Sequence, residues 1–223
     1  MTAEASPAAT VVLLRDAAEG VETLLLRRNP ALAFHGGAWV FPGGRVDSAD
    51  TEAAGPGASA DDIARLAAVR EAREETGLTV EAAGLVPLSH WTTPEAAPKR
   101  FATWFFLATV AGGELHVDGE EICEHRWMKP SEALSAQRSG TLQLPAATFV
   151  TLHDLQPHPT VEVALRAVDH RVFEPRPRTV DGGTCSLYGG DSAYDGGALE
   201  VPGPRHRLWM LTSGWRYERL LGR

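Results

Sequence analysis

At 223 residues, with 43% hydrophobic and 22% charged side chains, the chain has the composition of a globular protein able to bury a real core. Its formal charge of -8 argues against a nucleic-acid surface, because phosphate backbones are met by basic faces. Its two cysteines, Cys123 and Cys185, stand in neither a C-x-x-C nor a Cys/His spacing, so no disulfide framework or zinc site is suggested.

In chain order, "TVVLLRD" (10–16) and "VETLLLRR" (21–28) are β-rich runs joined by a turn-like "AAEG", which predicts a hairpin. "GAWVFPGGRVD" begins as a strand and breaks at Pro42-Gly43-Gly44, where so flexible a backbone can approach a ligand closely. "SADTEAAGPGASA" lacks periodicity and is expected to be a loop. Ser59 then reads as an N-cap with Asp61 and Asp62 in the first turn, Ala60 to Thr76 as a helix, and Gly77 as its stop. On that helix Ile63, Leu66 and Val69 are the residues expected to bury against strands.

"VEAAGLVPLSHW", "RFATWFFLATV" and "EICEHRWM" read as strands, the nearly all-apolar middle one central. "KPSEALSAQRSG", "AATFVTLHDL" and "TVEVALRAV" are expected helices. The tail from Arg171 mixes Gly and Pro with β-like runs such as "TCSLY" and "HRLWMLT". One domain over 8–223 is expected, its core at about 8–135 and a C-terminal elaboration at about 136–223. No uninterrupted apolar run of about 18 residues exists, so no membrane segment is expected. "MTAEASPAAT" has neither the basic start nor the apolar run of a signal peptide, which makes a cytoplasmic location the expectation.

The chemistry concentrates in "REAREETGL", 70–78. At about 100° per residue Glu71, Glu74 and Glu75 leave one side of the helix together, with Ala64, Ala67 and Ala68 on the same side. Like charges at that spacing cost about 0.2–0.5 kcal/mol per pair on an isolated helix. A divalent cation would offset the repulsion, and carboxylate oxygens in that number suit Mg²⁺ or Mn²⁺. A solvated acidic face, helped by Arg70 and Arg73, is the plain alternative.

"FPGG" upstream and "REAREETGL" downstream resemble the box of the Nudix hydrolases, G-x5-E-x7-R-E-U-x-E-E-x-G-U with U aliphatic. Arg70, Glu71, Glu74, Glu75, Gly77 and Leu78 fall on it, with Ala72 as a small stand-in at the first U. The first half departs: counted from Gly44 the box glutamate falls on Asp50, and its arginine stands at 70 rather than 58, an insertion of 12 residues. The insert leaves open whether Asp50, shorter than glutamate, still reaches Arg70. A branch of the family that includes coenzyme A diphosphatases resembles this chain in carrying inserts at this point.

The resemblance implies an α+β Nudix fold, a mixed β-sheet sandwiched between helices, here with a C-terminal α/β extension. It implies hydrolysis of a nucleoside diphosphate linked to another moiety by attack of water on phosphorus, coenzyme A or an acyl-CoA being the leading substrate. Glu71, Glu74 and Glu75 would be metal ligands, with one of them a candidate for the base as well, Arg70 positioning a glutamate and Gly43 and Gly44 admitting backbone to the site. A further acid is expected from "DGEEICEHRW", where Glu121 is preferred over Glu120 and Glu124. Arg27, Arg28, Arg45 and Arg100 are candidates for phosphate contact, and His35 for the signature histidine ahead of the glycine loop.

Most of the six tryptophans are expected in the core. "GGTCSLYGGDSAYDGG" would lie near the site or at a dimer contact, and a homodimer is expected because two-fold dimers are the commonest oligomers. The competing reading is a non-catalytic Nudix-fold sensor. Such modules tend to lose box acids, whereas all three helix glutamates are present here.

Overall fold

The computed structural model describes residues 4–33, 35–117 and 119–220. β1 (Ser6–Ala17) and β2 (Gly20–Arg28) form the expected hairpin, closed at Ala17 opposite Gly20. Beyond Leu14 opposite Thr23 the two strands part, and the chain re-enters the gap between them. β3 (Trp39–Val40) pairs with Leu26 and Arg27 of β2, and β4 (Gly43–Arg45) pairs with Ala8 to Thr10 of β1. The glycines expected to break a strand therefore form one, because β1 offers an unpaired edge there.

α1 (Ser48–Ala54) replaces the expected loop. A capping box explains it: Asp47 is the N-cap, and its N–H donates to the carboxylate of Asp50 at 2.8 Å. Two acids in a Gly/Ala/Ser background carried the signal that lack of periodicity concealed. α2 (Ala60–Thr76) has the expected ends, with the Ser59 hydroxyl accepting from the N–H of Asp62 and Gly77 in the left-handed conformation at φ 70°.

Next come β5 (Leu78–Thr79), β6 (Val86–Thr92), β7 (Phe101–Thr109), β8 (Gly112–Gly113) and β9 (Ile122–Met128). β6 starts later than its apolar pattern suggested, because a 3-10 turn occupies Ala82–Gly84. α3 (Pro130–Arg138), α4 (Ala146–Leu155) and a short α5 (Val161–Arg166) follow, then β10 (Arg171–Phe173). The main sheet runs β10-β6-β7-β1-β2-β3, with β4 also on β1 and β9 also on β2. β7 is parallel to β1 and antiparallel to β6, so the sheet is mixed and β7 is interior.

Alternation along β1 and β7 gives each sheet face its own core. Val11, Leu13, Phe106 and Ala108 face α2. Val12, Leu14, Phe105 and Leu107 face α4, α5 and the C-terminal sheet. This is the α+β architecture expected, a mixed sheet between helices. The buried side of α2 is Ala64, Ala67, Ala68 and Ala72, not the larger apolar side; Ile63 and Leu66 remain partly exposed. Small residues let the helix lie close to the sheet, and that contact outweighs the greater hydrophobicity of the other side.

The tail forms a second antiparallel sheet, β11 (Arg176–Val180), β12 (Gly183–Leu187), β13 (Arg205–Leu211) and β14 (Gly214–Leu220), in that order. One face joins the main core through Tyr188, Leu208 and Tyr217. The glycine-rich segment 189–204 folds over the other, pinned by Asp191. Asp191 accepts from Nε and Nη2 of Arg207 at 2.7 and 2.6 Å and from the N–H groups of Ala193 and His206, each at 2.8 Å.

Burial alone would raise the Asp191 carboxyl, but Arg207 and the two N–H donors reverse this and hold it below its ordinary value of 3.8. A depressed folded value means the pair's contribution is complete above the unfolded value and is lost as pH falls through the folded one. Urea unfolding midpoints are therefore expected to decline as pH drops below about 4. Asp191→Asn should flatten that limb, and at neutral pH it should cost about 3–5 kcal/mol by stranding the buried Arg207 charge. An acid limb of unchanged steepness in the variant would contradict this assignment.

Candidate functional site

The site is built where β4 lies against the last two turns of α2. The Gly43 N–H donates to Oε2 of Glu75 at 2.9 Å. A Cβ on Gly44 would stand inside van der Waals contact with the Glu71 carboxylate, so only glycine admits the acid there. The wedge between β1 and β2 thus delivers backbone directly onto two of the three glutamates.

Arg70 organises the rest. Its Nε and Nη2 form a two-point fork on Asp50, at 3.0 and 2.8 Å, and Nη2 also donates to the carbonyl of Arg45 at 2.9 Å. Nη1 donates to Glu71 at 2.8 Å and to Glu74 at 2.9 Å. Asp50 is 4% exposed. It therefore does reach Arg70, because the insert folds as α1 and carries the shorter side chain into place. Its hydrogen bonds to the Asp50, Glu71 and Glu74 carboxylates hold Arg70 firmly in its charged form.

The carboxylates differ in environment. Glu74 is open to solvent, its side chain 59% exposed. Burial pushes Glu71 up, Arg70 opposes this, and the charges of Glu74 and Asp47 add to the rise. Glu75 is 8% exposed and is pushed up to about 8, first by burial, opposed by the Gly43 N–H, and further by the charges of Glu71 and Glu121. Glu71 and Glu121 thus act together on Glu75, whose carboxylate accepts from the backbone of Gly43.

Glu121 forms an ion pair with Arg28 at 2.8 Å, at the end of β2. The Arg28 charge acts on Glu75 and, together with desolvation of the ring, lowers His35. His35 occupies a tight turn at φ 53°, a conformation uncommon for a residue with a side chain. Arg28 and Glu121 therefore neighbour the acidic cluster from the β2 side, and His35 lies within reach of the Arg28 charge. Arg45 contributes its carbonyl to Arg70, while its side chain is exposed.

Other candidates lie elsewhere. Glu124 pairs with Arg27 and Arg126. Arg100 donates to the carbonyl of Thr93. Trp39 and Trp91 are buried, Trp91 stacked on Phe173 at 3.9 Å. Asp50 is the site residue whose role the sequence left unresolved, and the capping pair Asp47 and Asp50 was the signal that could have found it.

The donor set is hard oxygen on a partly buried face, which fits Mg²⁺ or Mn²⁺ and not a softer metal. Among the described residues no three acids already stand in a cation-holding arrangement, because Glu71 and Glu74 are engaged by Arg70.

The NUDIX domain family model matches residues 5–152. The chain is 28% identical over 159 residues to the putative nudix hydrolase 7 of Caenorhabditis elegans, covering 55% of this chain and 51% of that protein, so it spans about half the relative's length. Among solved structures it is similar to a NUDIX hydrolase from Alicyclobacillus acidocaldarius, with TM-score 0.66 and 26% identity over 76% of this chain and 99% of that one. A MutT NUDIX hydrolase from Burkholderia pseudomallei shares the fold at TM-score 0.51 and 21% identity, over 68% of this chain and 98% of that one. The family match covers well over half the chain, includes both the glycine wedge and the acidic turn of α2, and agrees with the fold: the chain belongs to the NUDIX domain family.

Proposed function

We propose that the chain is a Mg²⁺- or Mn²⁺-dependent hydrolase that splits the pyrophosphate of a nucleoside diphosphate linked to another moiety. The observation that carries this reading is the placement of Glu75: a buried carboxyl beside two other acids, oriented by the Gly43 N–H. Buried like charges of this kind persist where a cation compensates them. Glu71, Glu74 and Glu75 would hold the metal, with Glu121 as a further ligand from the β2 side. When bound, such ions neutralise charge on the phosphates and acidify a water.

The chain's own residues supply orientation. Asp50 fixes Arg70, which keeps the Glu71 and Glu74 side chains near the glycine wedge. To hold a cation, Glu71 and Glu74 would part from Nη1, while the Asp50 fork would keep Arg70 in place. Arg28 and His35 would receive a phosphate oxygen beyond the acids. Coenzyme A or an acyl-CoA is the substrate we infer, from the likeness of the "FPGG" loop and its insert to the branch containing coenzyme A diphosphatases. The cytoplasmic location and the homodimer belong to the same proposal.

Glu74 and Glu75 replaced together by Gln should abolish Mg²⁺-dependent cleavage with folding preserved; full activity in that double variant would refute the metal assignment. Mass analysis should find 3′,5′-ADP and phosphopantetheine from coenzyme A, whereas AMP released only from ADP-ribose or NADH would redirect the substrate. Asp50→Asn should weaken Mg²⁺ dependence or kcat by about 10- to 100-fold, since it acts through Arg70; Asp50→Glu should recover part of the loss. Light scattering at micromolar concentration should give twice the chain mass of 23.9 kDa, and a monomeric mass would remove the dimer.

A further inference from the structure

A cleft of about 300 Å³ opens on the face of the main sheet opposite α2, between α4, α5, β10 and β14. Its apolar lining comes from Leu88, Leu107, Leu155 and Ala164, all at most 7% exposed. Arg171 and Arg219, together with Asp154 and Asp169, supply its charged wall. The volume lies at the lower end of the roughly 300–1,000 Å³ typical of small-ligand sites.

The two arginines are incompletely used. Elsewhere in this chain Arg70 and Arg207 each engage an aspartate through both Nε and Nη2. Arg171 reaches Asp154 through Nη2 alone and gives Nη1 to the Tyr217 hydroxyl at 3.2 Å. Arg219 reaches Asp169 through Nη2 alone, at 2.6 Å. In both, the Nε–H is buried and has no acceptor among the described residues. A buried donor left unpaired costs about 1–3 kcal/mol, so two on the wall of one cleft call for an acceptor.

The aspartates differ in how firmly they are held. The Arg171 side chain is 13% exposed and Asp154 23%, whereas Asp169 is 64% exposed. An exposed pair such as Arg219 with Asp169 contributes about 0–1 kcal/mol and yields to a competing acceptor at little cost. A flat, two-oxygen group matches the Nε/Nη2 edge. A dianionic phosphate would face both aspartates with twice the charge, and it has nothing to set on the apolar lining.

We propose that this cleft is a second small-molecule site, taking an aliphatic carboxylate whose head meets Arg219 and Arg171 and whose chain lies on Leu88, Leu107, Leu155 and Ala164. The site joins the main sheet to the C-terminal sheet and is independent of the acidic face on α2.

The test is calorimetric titration of the full chain with octanoate, using 1-octanol and inorganic phosphate as comparisons. Octanoate should bind saturably, and 1-octanol and phosphate at least about tenfold more weakly. Arg219→Gln should weaken octanoate by about tenfold or more. Ala167→Phe, at an exposed position on the cleft rim, should abolish binding. Both variants should keep the wild-type circular dichroism and Mg²⁺-dependent activity. No saturable binding up to about 10 mM, equal binding of 1-octanol or phosphate, or affinity unchanged in either variant would overturn the proposal.

Discussion

The acidic turn of α2 exists in its present shape because one guanidinium holds it. Glu71, Glu74 and Glu75 repel one another, and Glu71 and Glu75 lose hydration as well. Arg70 reaches two of the three and is itself anchored from outside the helix by Asp50, a residue 20 positions earlier. The anchor matters because an arginine tied only to its own helix would swing toward solvent with its exposed partner Glu74. By fixing Nε and Nη2, the buried aspartate leaves Nη1 as the group that addresses the acids.

That anchor depends in turn on the route of the chain. β1 and β2 separate beyond their hairpin, and the gap is filled by β3 and β4, which places Gly43 and Gly44 against α2. The alanine face of α2 brings the helix near enough for the Gly43 N–H to meet Glu75. Larger residues at Ala67, Ala68 or Ala72 would lift the helix, and the contact with β4 would lengthen before the core itself failed. Helix packing and site geometry are therefore one constraint.

Much of this could be read in advance, and the failures share a cause. The hairpin, the limits of α2, α3 and α4, and the interior place of β7 followed from local signals: turn residues, caps, and unbroken apolar runs. The buried face of α2 did not, because hydropathy ranks Ile63, Leu66 and Val69 above alanine and is silent about how near a helix must lie to a sheet. α1 was missed because a seven-residue helix held by the Asp47–Asp50 box and by Arg70 has almost no periodicity to show. The strand character of Gly43–Arg45 came from the free edge of β1, a fact of tertiary pairing. The box residues were legible one by one, while the fork joining Asp50 to Arg70 across the insert required the fold.

The same geometry decides how the acidic face can change state. Arg70 is bound on one side to a carboxylate that is 4% exposed and on the other to Glu74, whose side chain is 59% exposed. A charge-assisted bond in the buried setting is the stronger of the two, since water and salt screen the exposed one. A competitor for the acids would therefore remove Glu74 first and Glu71 next, and would leave the Asp50 fork intact. Arg70 would then remain beside the glycine wedge as a fixed positive charge, released from the helix acids yet unable to leave. On this account the insert is part of the site: lengthening the chain between Gly44 and Arg70 costs little by itself, provided that the added residues fold so as to return an acid to the arginine.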